Sequence, residues 1–327
     1  MRMELPGELQ IALNKQLITS SRSKVLDAAE RISLRYRNRS SSKQYIQNHE
    51  EALAYAIARM PATFGAVYKA LSYSLECMNV TDVLPVSLLD IGAGTGAASW
   101  AASELLDLDS VVCIEYVDYM KNMGEALMRH GDGRLKDTIW RSLNVVSDSI
   151  DDRGDFVIAS YMLNELDEEA QLKVADKLWR ATDKLLLLVE PGTPQGYRVL
   201  KRIRQRFLDM GAHVIAPCPH EHACPLAEGD WCHFTCRIQR NRLHKQAKGG
   251  DSPFEDEKFS YLALSKDTTH KDGARILRHP YTGKGHVKLD LCTKTGYIQR
   301  TFTKRDGDSY KLAKKVDCGD MITVEER

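Results

Sequence analysis

The sequence predicts an α/β fold built on a parallel sheet covered on both faces, with helices before it and a small β-rich unit after it. Three observations carry that prediction. From Val86 onward, apolar runs of four to six residues alternate with helix-prone stretches: Ser87 to Gly92, Ser110 to Tyr116, Asp155 to Ser160 and Lys184 to Glu190. Strands buried on both faces read as such unbroken runs, and parallel neighbours need a crossover helix between them. The first run ends in three alternate glycines, and the last 70 or so residues change to short strand-like runs broken by Gly283, Gly285 and Gly296.

Composition sets outer bounds. The 327 residues, 43% of them hydrophobic, are enough for two or three domains at roughly 100 to 200 residues each. With 46 Lys plus Arg against 45 Asp plus Glu, the net charge of +1 excludes a globally acidic or polybasic chain. The charge is uneven: residues 1–196 carry 21 basic and 28 acidic groups, residues 197–248 carry 10 and 4, and residues 249–327 carry 15 and 13. A local basic excess is the form expected where one surface meets a polyanion. There is no apolar run of about 18 residues, and the first 30 residues carry Glu4, Glu8 and Asp27 with no cleavable apolar stretch, so a cytoplasmic protein with no membrane partner is expected. A monomer is expected as well.

In chain order, residues 1–80 read as helical, with Leu5, Leu9, Ile11, Leu13, Leu17, Val25, Leu26, Ala29 and Ile32 near helical spacing, Ser40 to Ser42 as a loop and Pro61 as a helix start. Arg31, Arg35, Arg37, Arg39 and Lys43 lie in an acid-free stretch that reads first as a solvated helix face. Residues 81–210 form the α/β domain. Residues 211–250 form a Cys-rich segment with a basic flank, too poor in apolar side chains to fold by burial alone. Residues 251–327 form the β-rich domain, closed by a short basic helix from Ser309 to Lys315.

Leu88-Leu89-Asp90-Ile91-Gly92-Ala93-Gly94-Thr95-Gly96 runs a buried strand into a glycine turn and then a helix. Alternate glycines let the backbone bend tightly and approach a ligand where a Cβ would collide. Glu115 ends the next strand, where an acid meets ribose hydroxyls. The acid before the first glycine resembles the S-adenosylmethionine loop of Rossmann-like methyltransferases more than the dinucleotide fingerprint. That resemblance implies Asp90, Gly92, Gly94, Gly96 and Glu115 as cofactor-binding residues; the opposing reading is a tight turn that binds nothing. Asn164 and Glu165 follow the fourth strand, where open α/β sheets place their reaction crevice, but read first as caps of the following helix; Glu190 is another crevice candidate with the same alternative. No catalytic signature is present, so no catalytic residue is assigned.

Four of the eight cysteines fall between Cys218 and Cys236 in a long chain without a leader, which favours a metal site over disulfides. Cys218, Cys224 and Cys232 suit either zinc or an iron-sulfur cluster, and the two Cys-Pro pairs favour iron-sulfur. The fourth ligand is open among Cys236, His220, His222, His233 and a thiol of the C-terminal domain. There, Val287, Leu289 and Leu291 share one strand face and leave Cys292 on the other with Lys288 and Asp290. Cys77 and Cys113 read as core residues.

The Cys-Pro-His, Cys-Pro and Trp-Cys-His-Phe pattern, with Val189 to Thr193, Arg278-His279-Pro280 and Lys284 to Cys292, resembles the methyltransferase-like protein 17 family, which assists assembly of the mitochondrial small ribosomal subunit. The resemblance implies a class I S-adenosylmethionine methyltransferase fold with N-terminal helices, a Cys-rich module and a β-rich C-terminal domain. It implies a 4Fe-4S cluster on Cys218, Cys224, Cys232 and Cys292, S-adenosylmethionine in the glycine loop, and small-subunit ribosomal RNA as partner. Two other readings are an active ribosomal RNA methyltransferase with a structural metal site, and a zinc-binding RNA module with a relic Rossmann domain. A redox-sensing use of the cluster is a further reading. The basic groups Lys201, Arg202, Arg204, Arg206, Arg237, Arg240, Arg242, Lys245 and Lys248 flank the cysteines and are the expected RNA surface.

Overall fold

The computed structural model describes residues 3–37, 46–78, 84–268 and 273–323. Ser40 to Ser42, Arg39 and Lys43 lie outside the described residues. Four helices come first: α1 (Gly7–Ile18), α2 (Arg22–Arg37), α3 (His49–Ala58) and α4 (Met60–Leu75). Asn48 caps α3 by accepting the Glu51 N–H at 2.9 Å, and Pro61 sits in the first turn of α4, where its missing N–H costs nothing. Arg35 makes a two-pronged ion pair with Glu51, and Arg31 lies 3.9 Å from the same carboxylate. That part of the acid-free stretch is therefore an internal tie rather than a solvated face.

The α/β region follows as β1 (Ser87–Ile91), α5 (Ala97–Ser103), β2 (Ser110–Ile114), α6 (Asp118–Met128), β3 (Ile139–Arg141), β4 (Gly154–Ser160), α7 (Glu168–Ala181), β5 (Thr182–Pro191), α8 (Pro194–Asp209) and β6 (His213–Ala216). Next come β7 (Phe234–Gln239), α9 (Arg242–Lys248) and β8 (Phe254–Ser265). The sheet order is β3-β2-β1-β4-β5-β8-β6, with β1 to β5 parallel and β8 antiparallel to both its neighbours. One antiparallel strand inserted between the fifth and sixth is the arrangement of the class I methyltransferase fold.

Alternation along the strands divides the core between two layers. Leu88, Phe156, Ile158, Leu185 and Leu187 face α3 to α6, while Leu89, Ile91, Val157, Leu186 and Leu188 face α7 and α8. Each such fully buried side chain contributes about 1.5–3 kcal/mol. The N-terminal helices belong to the first of these layers. Gly65 of α4 shows how tightly: a Cβ there would stand 2.8 Å from Ile238 Cγ1 and 3.1 Å from Cys236 Sγ.

The structure differs from the expected division in two places. β6 and β8 lie outside the predicted 81–210 segment yet complete the α/β sheet, and β8 holds Tyr261 to Ser265, which the pattern had placed in the C-terminal domain. The first half of β8 pairs with β7, from Phe234 opposite Phe259 to Gln239 opposite Phe254. A strand's own pattern says that it is buried but not which sheet buries it.

The C-terminal sheet contains β9 (Ala274–Ile276), β10 (Tyr281–Gly283), β11 (His286–Thr293), β12 (Gly296–Thr303) and β13 (Met321–Ile322), with α10 (Gly307–Ala313) on one face. Ala274, Ile276, Val287, Leu289, Leu291, Phe302, Ala313 and Ile322 make its separate core.

Candidate cofactor crevice and cysteine cavity

The glycine loop leaves β1 in a conformation that L side chains avoid. Gly92, Gly94 and Gly96 have φ of 68°, 58° and 85°. Their surroundings differ. A Cβ on Gly96 would stand 2.3 Å from Met128 Cε and one on Gly92 3.1 Å from Met162 Cγ, whereas Gly94 meets only Met120 Cε, at 3.4 Å. Gly92 and Gly94 line a crevice of about 580 Å³ together with Glu115, Tyr116, Asn144 and Glu165. Asp90 and Gly96 do not line it.

Asp90 is fully buried beneath the loop, where its Oδ2 accepts the Ser99 N–H at 3.1 Å and the Ser99 hydroxyl at 2.7 Å. Its Oδ1 has no partner. Burial pushes this carboxyl up to about 7 despite the Ser99 bonds. Asp90 is thus a strut under the loop. Glu115 reaches the crevice, and its two oxygens accept the N–H of Gly94 at 2.8 Å and of Val117 at 2.7 Å. It holds the loop shut against β2 with the same oxygens that a ribose would use.

The ends of β4 and β5 form the opposite wall. Tyr161 has a φ of 58°, unusual for a residue with a side chain, and its hydroxyl donates to Glu257 Oε1 at 2.9 Å. Glu190 is fully buried and accepts from Leu163 N at 2.9 Å, from Asn164 N at 3.3 Å and from the Asn164 side-chain amide. It fixes the 3-10 turn Leu163–Glu165 rather than facing the crevice. The cap of α7 is Asp167, accepting from Ala170 N at 2.9 Å, which corrects the assignment of Asn164 and Glu165 to that role. Glu165 instead lines the crevice, its carboxyl raised to about 6 by burial and by Glu115.

A second cavity, of about 50 Å³, lies between α8, the connection from β6 to β7, and β11. One water needs about 10–15 Å³, so the space exceeds a single small guest. Cys218, Cys224, Cys232 and Cys292 all line it. The first three come from the connection, and Cys292 comes from β11, where it faces Tyr297 and Arg275 across the strands. Cys236 is elsewhere, buried on β7 against α4. His220 approaches, with Nε2 3.4 Å from Cys292 Sγ. Among the described residues, no three His, Cys, Asp or Glu side chains are close enough to hold a single metal ion.

Burial pushes the Cys232 thiol well up, and Cys218, Cys292 and Cys224 push it further; Cys292 is raised by burial and by Cys218 and Cys224. Four thiols gathered in an apolar hole resist ionising together unless a cationic group joins them. Around them stand residues that the linear sequence did not assign to this cavity. The Tyr197 hydroxyl lies 3.1 Å from Cys224 Sγ, Arg204 is buried and donates to His220 O at 2.9 Å, and Arg275 donates to Pro217 O at 3.2 Å and to Gly319 O at 2.6 Å. Trp231 Nε1 donates to Gly192 O at 3.0 Å, and Ser260 Oγ to Cys232 O at 2.7 Å. Only three-dimensional convergence reveals these contacts.

The expected basic surface is largely used internally. Arg202 pairs with Glu168, Arg206 with Asp176, Arg237 with Asp256, and both Arg240 and Lys248 with Glu255. Arg204 is buried. Lys201, Arg242 and Lys245 make no ion pair among the described residues.

The strand order and the glycine crevice at the head of β1 define a protein of the class I methyltransferase fold. Residues 49–323 match the family described as mitochondrial small ribosomal subunit Rsm22, and the chain belongs to that family. It is 28% identical over 294 residues to the human ribosome assembly protein METTL17, mitochondrial, covering 84% of this chain and 62% of that protein. It is 25% identical over 334 residues to Rsm22-cox11 tandem protein 2, mitochondrial, of Schizosaccharomyces pombe, covering 84% and 43%. The chain therefore spans only part of the length of these relatives. Among solved structures it is similar to the magnesium protoporphyrin IX methyltransferase of Synechocystis PCC 6803 with bound SAM, at 13% identity and a TM-score of 0.40, covering 75% of this chain and 97% of that one. The N-methyltransferase NodS of Bradyrhizobium japonicum matches at 10% identity and a TM-score of 0.38, covering 62% and 86%.

The relatives also correct the expected cytoplasmic location, because those from human, fission yeast and Saccharomyces cerevisiae are all named as mitochondrial proteins. The expectation rested on the lack of an apolar leader, and a mitochondrial transit segment has none, being amphipathic and rich in Arg and Ser. Among the described residues, no helix is long and apolar enough to cross a membrane.

Proposed function

We propose that this protein is an assembly factor of the small ribosomal subunit that acts as a monomer, carries S-adenosylmethionine in the glycine crevice, holds a 4Fe-4S cluster on Cys218, Cys224, Cys232 and Cys292, and contacts small-subunit ribosomal RNA. The observation that carries the reading is the meeting of these four thiols in one cavity although Cys292 belongs to a separate sheet. A cluster spreads its ligands around several irons, so it suits thiols that share a cavity without closing to single-ion spacing. The buried Arg204 and Arg275 offset the negative charge of such a group. The crevice volume lies in the range of about 300–1,000 Å³ used by small ligands.

The test is anaerobic iron, sulfide and zinc analysis with a visible spectrum, on the natural protein and on Cys292→Ser and Cys236→Ala. Equal iron and sulfide, lost in Cys292→Ser and kept in Cys236→Ala, is the expected result. Zinc alone, unaffected by Cys292→Ser, would refute the cluster.

A second reading, methyl transfer to ribosomal RNA, is favoured by Glu165, a crevice carboxyl held up at about 6, near the range suited to accepting a proton. S-adenosylmethionine, when bound, supplies an electrophilic methyl group. Methyl incorporation lost in Gly94→Arg would support transfer; RNA binding that survives Gly94→Arg but fails in Cys224→Ser would support assembly alone.

A further inference from the structure

The cations that the sequence offered for RNA are mostly spent on the protein's own acids, and the C-terminal sheet domain shows the opposite balance. Residues 273–323 contain eleven Lys and Arg (275, 278, 284, 288, 294, 300, 304, 305, 311, 314, 315) against five Asp (290, 306, 308, 317, 320), a net +6. The acids that dilute this charge in the sequence lie before residue 273 or after residue 323. Arg275 is buried, Arg278 pairs with Asp230 and Lys311 with Asp308. Lys284, Lys288, Lys304 and Arg305 make no ion pair among the described residues.

One face of this sheet is open. Cross-strand register puts Tyr281, Lys288 and Thr301 in one row, Asp290 and Gln299 in the next, and Cys292 and Tyr297 in the last. Because side chains alternate, these share the face opposite Val287, Leu289, Leu291 and Phe302, which α10 covers. The cysteine segment meets this face at Cys292, whose Sγ lies 3.4 Å from His220 Nε2. On the same face Tyr281 is 66% exposed and Tyr297, across from Cys292, is 40% exposed. Asp290, the carboxylate in these rows, accepts the Tyr297 hydroxyl at 2.8 Å and the Gln299 amide at 2.7 Å. Those bonds engage its charge and fix the Tyr297 ring.

We propose that the open face of the C-terminal sheet is a platform for unpaired RNA, with bases stacking on Tyr281 and Tyr297 and phosphates meeting Lys284, Lys288 and Lys304. Exposed aromatic rings interleaved with unpaired cations are what single strands require, since every base has a stackable face while a duplex hides its own. This inference rests on the RNA-binding reading above.

The experiment uses the intact protein, a fluorescent oligouridylate of about 12 nucleotides and a duplex RNA of the same length, read by anisotropy across a salt series. Tyr281→Ala is expected to weaken single-strand binding about tenfold, in line with about 1–3 kcal/mol per stacked base. Tyr281→Phe keeps the affinity within about twofold, because stacking and not the hydroxyl is used. Lys288→Ala lowers the salt slope by about 0.7. If Tyr281→Ala and Lys288→Ala both bind as the natural protein does, the platform is wrong and the RNA-binding reading stands. Equal affinity for the duplex also overturns it. A folded natural protein that binds neither RNA removes both readings. Dimer sedimentation that Tyr281→Ala returns to monomer would assign the face to a second copy and overturn the proposal.

Discussion

The indole N–H of Trp231 donates to the carbonyl of Gly192, 3.0 Å away, and so ties the cysteine segment to the loop that follows β5. The loop is tight on its other side as well, since Gly192 N donates to Lys258 O at 2.8 Å. Two residues earlier, Glu190 holds the Leu163–Glu165 turn at the crevice. The cysteine cavity and the cofactor crevice therefore share one short stretch of backbone.

Trp231→Phe keeps the ring and removes the donor. A loss of about 1 kcal/mol in the urea unfolding free energy is expected, the net worth of one such bond. A variant as stable as the natural protein would show that the loop is held by packing alone.

Gly94→Ala and Gly96→Ala should part company. Both add strain of about 1 kcal/mol at positive φ, but only Gly96→Ala drives a methyl into Met128, which stands 2.3 Å from the new Cβ. Gly96→Ala is expected to lower the melting temperature by several degrees. Gly94→Ala is expected to fold almost normally and to weaken S-adenosylmethionine binding in calorimetry, because its methyl projects into the crevice.

Asp90 makes stability depend on pH. Its carboxyl keeps its proton in the folded protein up to about 7, whereas the unfolded chain releases it near the ordinary 3.8. Between these values the folded state holds the extra proton, so stability falls as pH rises, by at most about 1.4 kcal/mol per unit. Asp90→Asn, still able to accept from Ser99, should flatten that part of the urea midpoint profile between pH 5 and 7. An unchanged profile would remove Asp90 as its source.

The Tyr197 hydroxyl lies 3.1 Å from Cys224 Sγ, and toward a ligated thiolate it is the only one of the two with a proton to donate. Hydrogen bonds to ligand sulfurs help to set a cluster's reduction potential, by stabilising the more negative reduced form. Tyr197→Phe should therefore keep iron and sulfide content and shift the potential downward in a redox titration. Loss of iron instead would make Tyr197 a support for the cavity wall.

The sequence made some of this legible and concealed the rest for physical reasons. The glycine loop was readable because positive φ and close approach restrict residue type at each position, and Cys292 because strand alternation is strict. β8 was misplaced because its Tyr261 to Ser265 run records burial without recording a partner. The fate of Arg202, Arg206 and Arg237 was hidden for a related reason: Glu168, Asp176 and Asp256 neutralise them from other elements, and charge counted along a chain cannot see across a fold. Asp90 carried the right residue type, yet burial turned it from a cofactor contact into a strut.

Chain order gives Cys292 a further meaning. Three of the cavity's thiols precede β8, the strand that completes the α/β sheet, and the fourth follows it on a strand of a different sheet. A nascent chain offers an incomplete ring of sulfurs until the C-terminal sheet has formed and docked. The cavity is in that sense a seam, closed last, and whatever it holds certifies that both halves of the molecule are present and correctly joined.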